Sequence, residues 1–276
     1  MKRIRIIELF ANIKANLVSF FSISMFVALG LGLFCGVQWG ATAITNALQQ
    51  NMEKGNLYDL EISFPYGMTQ ENIDEIKKVE GVSKVEVAYS SFAYMVDGNK
   101  SYVLKLSSMT DTINQPTAVL GTMPVEKNEA AVLRSFAEKK SIRVGDTIKL
   151  KHDSGDSNDT DGMKALLSDS FVVTALVDNP AFISNEPNSF GVSGLGAGTI
   201  DGVAWITSSA FDSKFFNDAY PNAFVGCDSL KGINTLSTQY AEAVAPIKSS
   251  LVDLGKKLGK ARYEKLHADA QQKIDD

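Results

Sequence analysis

The sequence predicts an α+β membrane protein. One N-terminal transmembrane helix leads into an extracytoplasmic α/β region, and a long terminal helix follows. Three observations predict this. No charged side chain occurs between Lys14 and Glu53, in a chain where 21% of residues are charged. Residues 57–108 alternate strand-like and helix-like patterns, and from Ile233 apolar residues recur every three or four positions.

The uncharged run comes first. Leu17 to Trp39 is 23 residues, mostly apolar. A helix of that length covers roughly 30 Å or more, enough for a hydrocarbon core. A secretory signal peptide has a shorter apolar core, about 7–15 residues, and a small-residue cleavage site. The string "GATAITNA" offers a weak site of that kind, so a cleaved leader stays open beside an uncleaved anchor, as does a buried core helix. Lys2, Arg3, Arg5 and Lys14 precede the span, against the single acid Glu8. Positive charge resists translocation, which places the N-terminus in the cytoplasm and the bulk of the chain outside. Within residues 1–16, "RIIELFANIK" sets Ile6, Leu9, Phe10 and Ile13 on one face, as an amphipathic helix on the inner membrane surface would.

The span, with its stalk to residue 52, carries Gly30, Gly32, Gly36 and Gly40. Gly32, Gly36 and Gly40 repeat at four-residue spacing, which lets another helix backbone approach closely. Glycine is also common in membrane helices at large, so packing and background frequency both account for it.

Residues 53–232 form the outer domain. Leu57 to Phe64 alternates as a strand, and Thr69 starts a helix with Ile73, Ile76 and Val79 on one face, ended by Gly81. Val82, Val85, Val87 and Tyr89 begin an extended run, and "VDGN" at 96–99 is a hairpin turn. This is half of a split βαβ, ferredoxin-like unit. Further on, a short helix is expected over 128–140, with strands at 145–151 and 170–179. Two more strands, in "DGVAWITSSAF" and "NAFVGCDS", are placed to complete the first sheet. From 233 to 276, Leu236, Tyr240, Val244, Ile247, Leu251, Leu254 and Leu258 step close to a heptad seam, a coiled-coil start with Pro246 expected to kink it. The sequence ends in "HADAQQKIDD" with no cap glycine, and the expectation is a longer protein that has been cut.

Composition excludes some functions. Of 27 basic residues four precede the span, leaving 23 against 31 acidic ones outside, and no basic patch with interleaved aromatics suggests nucleic acid. Cys35 lies in the span and Cys227 outside it, so they do not form a staple. "DSNDTDG" resembles a calcium loop, but Ser157 and Ser168 stand where carboxylates are needed. Gly194, Gly196 and Gly198 lack the spacing of a dinucleotide site, and Leu195 spoils a nucleophile elbow in "GVSGL". His152 and His267, the two histidines, fall in no triad or metal cluster, and no Walker A motif occurs. The expectation is therefore no catalytic residue, metal or cofactor.

Five strings in order carry a resemblance: "SFFSISMFVALGLGLFCGV", "YDLEISFPYGMTQENIDEIKKVEGVSKVE", "LRSFAEKKSIRVGDTIKL", "FVVTALVDNPAFIS" and "SFGVSGLGAGTIDGVAWI". Together they resemble the MacB/FtsX-type (type VII, mechanotransmission) ABC transporter permeases, most clearly the large Gram-positive members. The resemblance implies a MacB-like extracytoplasmic core domain on the plasma membrane. Its ferredoxin-like part would be residues 57–108 and 203–228, with a β-rich insertion at 118–180. It also implies a cytoplasmic ABC ATPase as partner, further permease helices, and an outer domain moved as a lever to extrude peptide, lipoprotein or antibiotic, or to signal. The three later spans of that family are absent from this sequence. The alternative is a single-pass anchored binding or sensing module, and an anchored extracellular enzyme is the third reading.

Overall fold

The computed structural model describes residues 13–151, 165–183, 190–193 and 198–275. The chain forms two compact units, residues 1–50 and 51–276. The first unit contains most of helix α1 (Leu17–Lys54), which runs 38 residues and buries none of its side chains. Phe26 is 78% exposed and Trp39 74%, which excludes α1 as a core helix within this chain and demands an apolar surrounding for it. Lys14 is exposed, while Lys2, Arg3, Arg5 and nearly all of the expected amphipathic helix lie outside the described residues.

In the second unit, β1 (Leu60–Met68), β10 (Tyr220–Gly226) and β2 (Lys84–Ala88) make a three-stranded antiparallel sheet, with β10 in the middle. Helix α2 (Gln70–Lys77) follows Thr69, whose N–H donates to Asn72 Oδ1 at 3.1 Å and so stops one unpaired donor at the helix start. Ile73 and Ile76 of α2 join Phe64, Met68, Ala223 and Val225 in one core. Helix α4 (Thr238–Asp275) closes that core with Ile247 and Leu251. Tyr240, Val244, Leu254 and Leu258 pack there while half-buried. The heptad-like seam thus meets the chain's own sheet through Leu258, where a second helix was expected. Leu236 precedes α4 and is exposed, and Pro246 sits within a single continuous helix.

The remaining strands form a seven-stranded sheet in the order β5-β8-β6-β9-β4-β3-β7. They are β3 (Ser90–Asp97), β4 (Lys100–Ser108), β5 (Thr117–Gly121), β6 (Glu129–Leu133), β7 (Thr147–Lys151), β8 (Ser170–Asp178) and β9 (Gly202–Ile206). β7 pairs with β8 as well as β3, so six strands close into a ring, with β5 attached outside it on β8. Closure removes six strands' free edges. β3 and β4 meet in the predicted hairpin, Asp97 opposite Lys100.

This topology corrects the expected division. Residues 57–108 and 203–228 do not share one sheet: β3, β4 and β9 belong to the ring. The reason is burial on both faces. All five residues of β9 are buried, as are Ala93, Tyr94 and Met95 in sequence on β3, and only a strand with neighbours above and below its sheet hides consecutive residues. Within the segment 118–180, β6 and β8 pair in the same ring. The expected helix 128–140 is strand up to Leu133 and helix α3 (Arg134–Lys140) after it. Ala130 to Leu133 are buried between β8 and β9, where ladder pairing overrides alanine's helix preference.

One core contact is unusually tight. A Cβ added to Gly202 would lie 2.4 Å from Cγ of the buried Phe136 ring. Gly202→Ala should therefore lower unfolding free energy by about 1–3 kcal/mol. Thermal unfolding of the full chain in detergent checks this, and adding Phe136→Leu should recover part of the loss.

Candidate functional site

The site builds from the end of α1. Asn56 adopts φ +45°, its N–H donates to the Glu53 carbonyl at 3.1 Å, and the Leu57 N–H donates to the Met52 carbonyl at 2.9 Å. These two bonds around a left-handed residue make a defined helix stop. Just before it, Gly55 lies against Pro180: a Cβ there would stand 2.5 Å from Pro180 Cγ. Only glycine allows this approach.

Asn56 reaches further. Its Nδ2 donates to the Thr112 carbonyl at 2.8 Å and its carbonyl accepts the Asn114 N–H at 2.8 Å. The segment it grips, residues 109–116, crosses from β4 to β5. Glu86 on β2 grips the same segment. Its carboxylate accepts the N–H groups of Asp111 (2.9 Å), Thr112 (2.9 Å) and Ile113 (3.1 Å), and pairs with Lys84 at 2.9 Å. From the ring side, Asn179 Nδ2 donates to the Asn114 carbonyl at 3.0 Å. The crossover is therefore held by the end of α1, the small sheet and the ring at once. Burial pushes the Glu86 carboxyl up. Hydrogen bonds from Lys84, from Thr112 and from the main chain of 112–113 outweigh that and pull it down to about 2.

Asp59 forms the other half of the joint. One carboxylate oxygen accepts from Tyr240 Oη at 2.6 Å, the other from the Cys227 N–H at 2.7 Å. Its own N–H donates to the Val225 carbonyl at 2.9 Å. Burial, then the Asp59 hydrogen bond and charge, push Tyr240 up. Burial, then Asp59 and Asp228, push the Cys227 thiol up to about 11, leaving it inert at neutral pH. Thr235 Oγ1 donates to Met52 Sδ at 3.1 Å, so the lead-in to α4 also meets the last turns of α1.

Beside the joint a cleft of about 550 Å³ opens. Asn51 and Lys54 line one side, Thr117 and Val119 of β5 another, and Arg134 and Ser135 of α3 a third. Arg134 makes a bidentate pair with Asp178, Nε at 2.9 Å and Nη2 at 2.7 Å.

The residues singled out from sequence stand elsewhere. Gly30, Gly32, Gly36 and Gly40 lie on α1, and a Cβ added at any of them meets nothing within 4 Å. That face is open among the described residues. Residues 157–162, His152, Gly194 and Gly196 fall outside the described residues. Ser168 bonds locally to Ser170, and His267 sits 6.0 Å from the Tyr263 ring on α4. Among the described residues no group of three His, Cys, Asp or Glu side chains could hold a metal. Sequence reading missed Gly55, Asn56, Asp59, Glu86 and Tyr240. Only "KGN" at 54–56 signalled its role, as a helix stop.

Comparison with known proteins adds the following. No family model matches the chain, and no curated protein matches it. Among solved structures it is similar to the extracellular domain of the noncanonic ABC-type transporter YknZ from Gram-positive bacteria, at 13% identity and a TM-score of 0.36, covering 67% of this chain and 86% of that one. It is also similar to the periplasmic region of MacB from Actinobacillus actinomycetemcomitans, at 13% identity and a TM-score of 0.35, covering 71% of this chain and 76% of that one. Likeness at this level does not carry an activity from one chain to another.

The Glu86 clamp has a pH signature. A carboxyl held at about 2 against an ordinary 4.5 contributes stability that is fully present above pH 4.5 and lost as pH falls through 2. Glu86→Gln should remove that contribution. The stability gap between wild type and variant, measured by urea unfolding from pH 7 to pH 2, should be widest above pH 5 and should close toward pH 2.

Proposed function

We propose that this chain is a permease component of a MacB/FtsX-type ABC transporter, coupling a cytoplasmic ATPase to movement of an outer domain. The observation that carries the reading is the joint. A helix long and apolar enough to cross a membrane ends in residues bonded to the small sheet, to the crossover 109–116, and to the lead-in and first turn of α4. An anchor that merely tethers a domain needs a flexible linker. A helix that moves a domain needs a stiffer one, and the hydrogen bonds of residues 52–59 within the second unit support that reading.

In this reading Lys2, Arg3, Arg5 and Lys14 keep the N-terminus cytoplasmic in a bacterial plasma membrane. Gly32, Gly36 and Gly40 receive other permease helices, supplied from outside these 276 residues, and ATP hydrolysis belongs to a separate ATPase subunit. The similarity to extracytoplasmic domains of ABC-type transporters agrees with this, and the open glycine face leaves room for such neighbours. The work done outside is extrusion of a peptide, lipoprotein or antibiotic, or a signal. The cleft is the observation that favours the alternative, a single-pass anchored binding or sensing module.

Copurification from the native membrane tests the two. The permease reading expects a P-loop ATPase with the full chain. It also expects Gly32→Leu with Gly36→Leu to cut that yield below about a tenth, a loss of 1.4 kcal/mol or more, with the outer domain still folded by circular dichroism. Unchanged yield removes the packing role. No ATPase, together with ligand binding by the isolated chain, moves the anchored module to first place.

Gly55→Val separates coupling from assembly. It should leave the ATPase bound, but abolish any ATP-dependent change in distance between spin labels at Lys54 and Lys149.

A further inference from the structure

A small cavity lies between the ring and the small sheet. On the ring side β4 and β9 run parallel, with Lys105 opposite Val203 and Ser107 opposite Trp205. Residues two apart on a strand share a face, so these four side chains make one wall. Tyr58, Glu61 and Phe224 line the cavity from the small-sheet side, where the Tyr58 and Phe224 rings stack at 5.0 Å. Asn114 of the crossover and Phe182 complete the lining. The enclosed volume is about 20 Å³. One water molecule needs about 10–15 Å³ of such space, so the cavity has room for one.

Three polar groups in this lining are short of partners. Asn114 is 6% exposed. Its main-chain N–H donates to the Asn56 carbonyl and its carbonyl accepts from Asn179, but its buried Oδ1 accepts no hydrogen bond among the described residues. Native structures rarely leave a buried acceptor in that state. Lys105 Nζ stands 3.8 Å from Glu61 Oε1, too far for a hydrogen bond. The two side chains are only 19% and 30% exposed, so bulk water does not fully hydrate either. Tyr58 Oη occupies the other Glu61 oxygen, Oε2, at 3.1 Å.

These groups restrict what fits. The charges of Lys105 and Glu61 cancel, so an ion of either sign meets one attraction and one repulsion. The occupant is neutral and small. It must donate to Asn114 Oδ1 and to Glu61 Oε1, and accept from Lys105. Water does all three, and three hydrogen bonds are the usual number for a buried water. An ion pair stretched beyond hydrogen-bond length is also where a bridging water stands.

We propose that this cavity holds one structural water bridging Asn114 Oδ1, Glu61 Oε1 and Lys105 Nζ. The water ties β4 of the ring, β1 of the small sheet and the crossover at a single point. The proposal does not depend on the permease reading, because no ATPase enters its test.

The test is a crystal structure of the full chain in detergent, at a resolution that shows ordered water, together with thermal unfolding of two variants. One density peak should lie about 2.7–3.2 Å from Asn114 Oδ1 and at a similar distance from Lys105 Nζ or Glu61 Oε1. An empty cavity, or Lys105 Nζ bonded directly to Asn114 Oδ1, overturns the proposal. Ser107→Val adds bulk where the water stands. Filling a dry void raises the thermal midpoint, whereas displacing a water whose hydrogen bonds a methyl group cannot replace lowers it. The midpoint should fall by about 2–4 °C, and the peak should vanish from the variant's structure. Ser107→Ala, which adds no bulk, should keep the peak and lower the midpoint less. A rise or no change for Ser107→Val, or equal falls for the two variants, overturns the proposal.

Discussion

Asp59 is the contact on which the arrangement of the second unit depends. A single carboxylate accepts from the side chain of Tyr240 and from the main chain of Cys227, while its own amide donates to Val225. The three partners come from the first turn of α4, the exit of β10 and the middle strand of the small sheet. Each is far away in sequence: Tyr240 is 181 residues from Asp59. A charged acceptor with two short hydrogen bonds gives more than a neutral one, and half-burial keeps water from competing. Remove that carboxylate and the lead-in to α4, the end of β10 and the start of β1 lose their common tie. The core built on Ile247 and Val225 would then hold α4 chiefly by apolar contact.

The two cores differ in how they are made. The small sheet relies on helices for cover, so its stability is tied to α4, and therefore to Asp59 and Thr235. The ring covers itself. β6, β8 and β9 carry Val132, Val173, Val177, Val203 and Trp205 into a shared interior, and closure leaves only β5 on the outside. The Glu86 clamp on residues 111–113 and the Asn179 bond to Asn114 join the two.

Where local chemistry decides structure, the sequence was legible. Thr69 and Asn72 mark the start of α2, Ile73 and Ile76 its buried face, and Gly98 the turn between β3 and β4. The uncharged run before Glu53 announces α1. Illegible were the choices made by distant partners. β3 and β9 look like any half-buried strands until both faces are covered, so their sheet could not be read. Ala130-Ala131 reads as helix and is strand because β8 and β9 stand on either side. Glu86 in "KVEVA" has the pattern of an exposed position, yet binds three main-chain amides. The joint was invisible for the same reason, apart from the glycine–asparagine stop at 55–56.

The bond between Thr235 and Met52 brings together two points 183 residues apart. Everything between them, the ring included, is a closed excursion that leaves and returns at one place. Such a segment is an insertion in the architectural sense: its ring can be lengthened or shortened without displacing the ends that carry it, provided those two ends still meet and the small sheet keeps its face for α4. Selection acting on the ring is then uncoupled from selection acting on α1, and the two can diverge at different speeds.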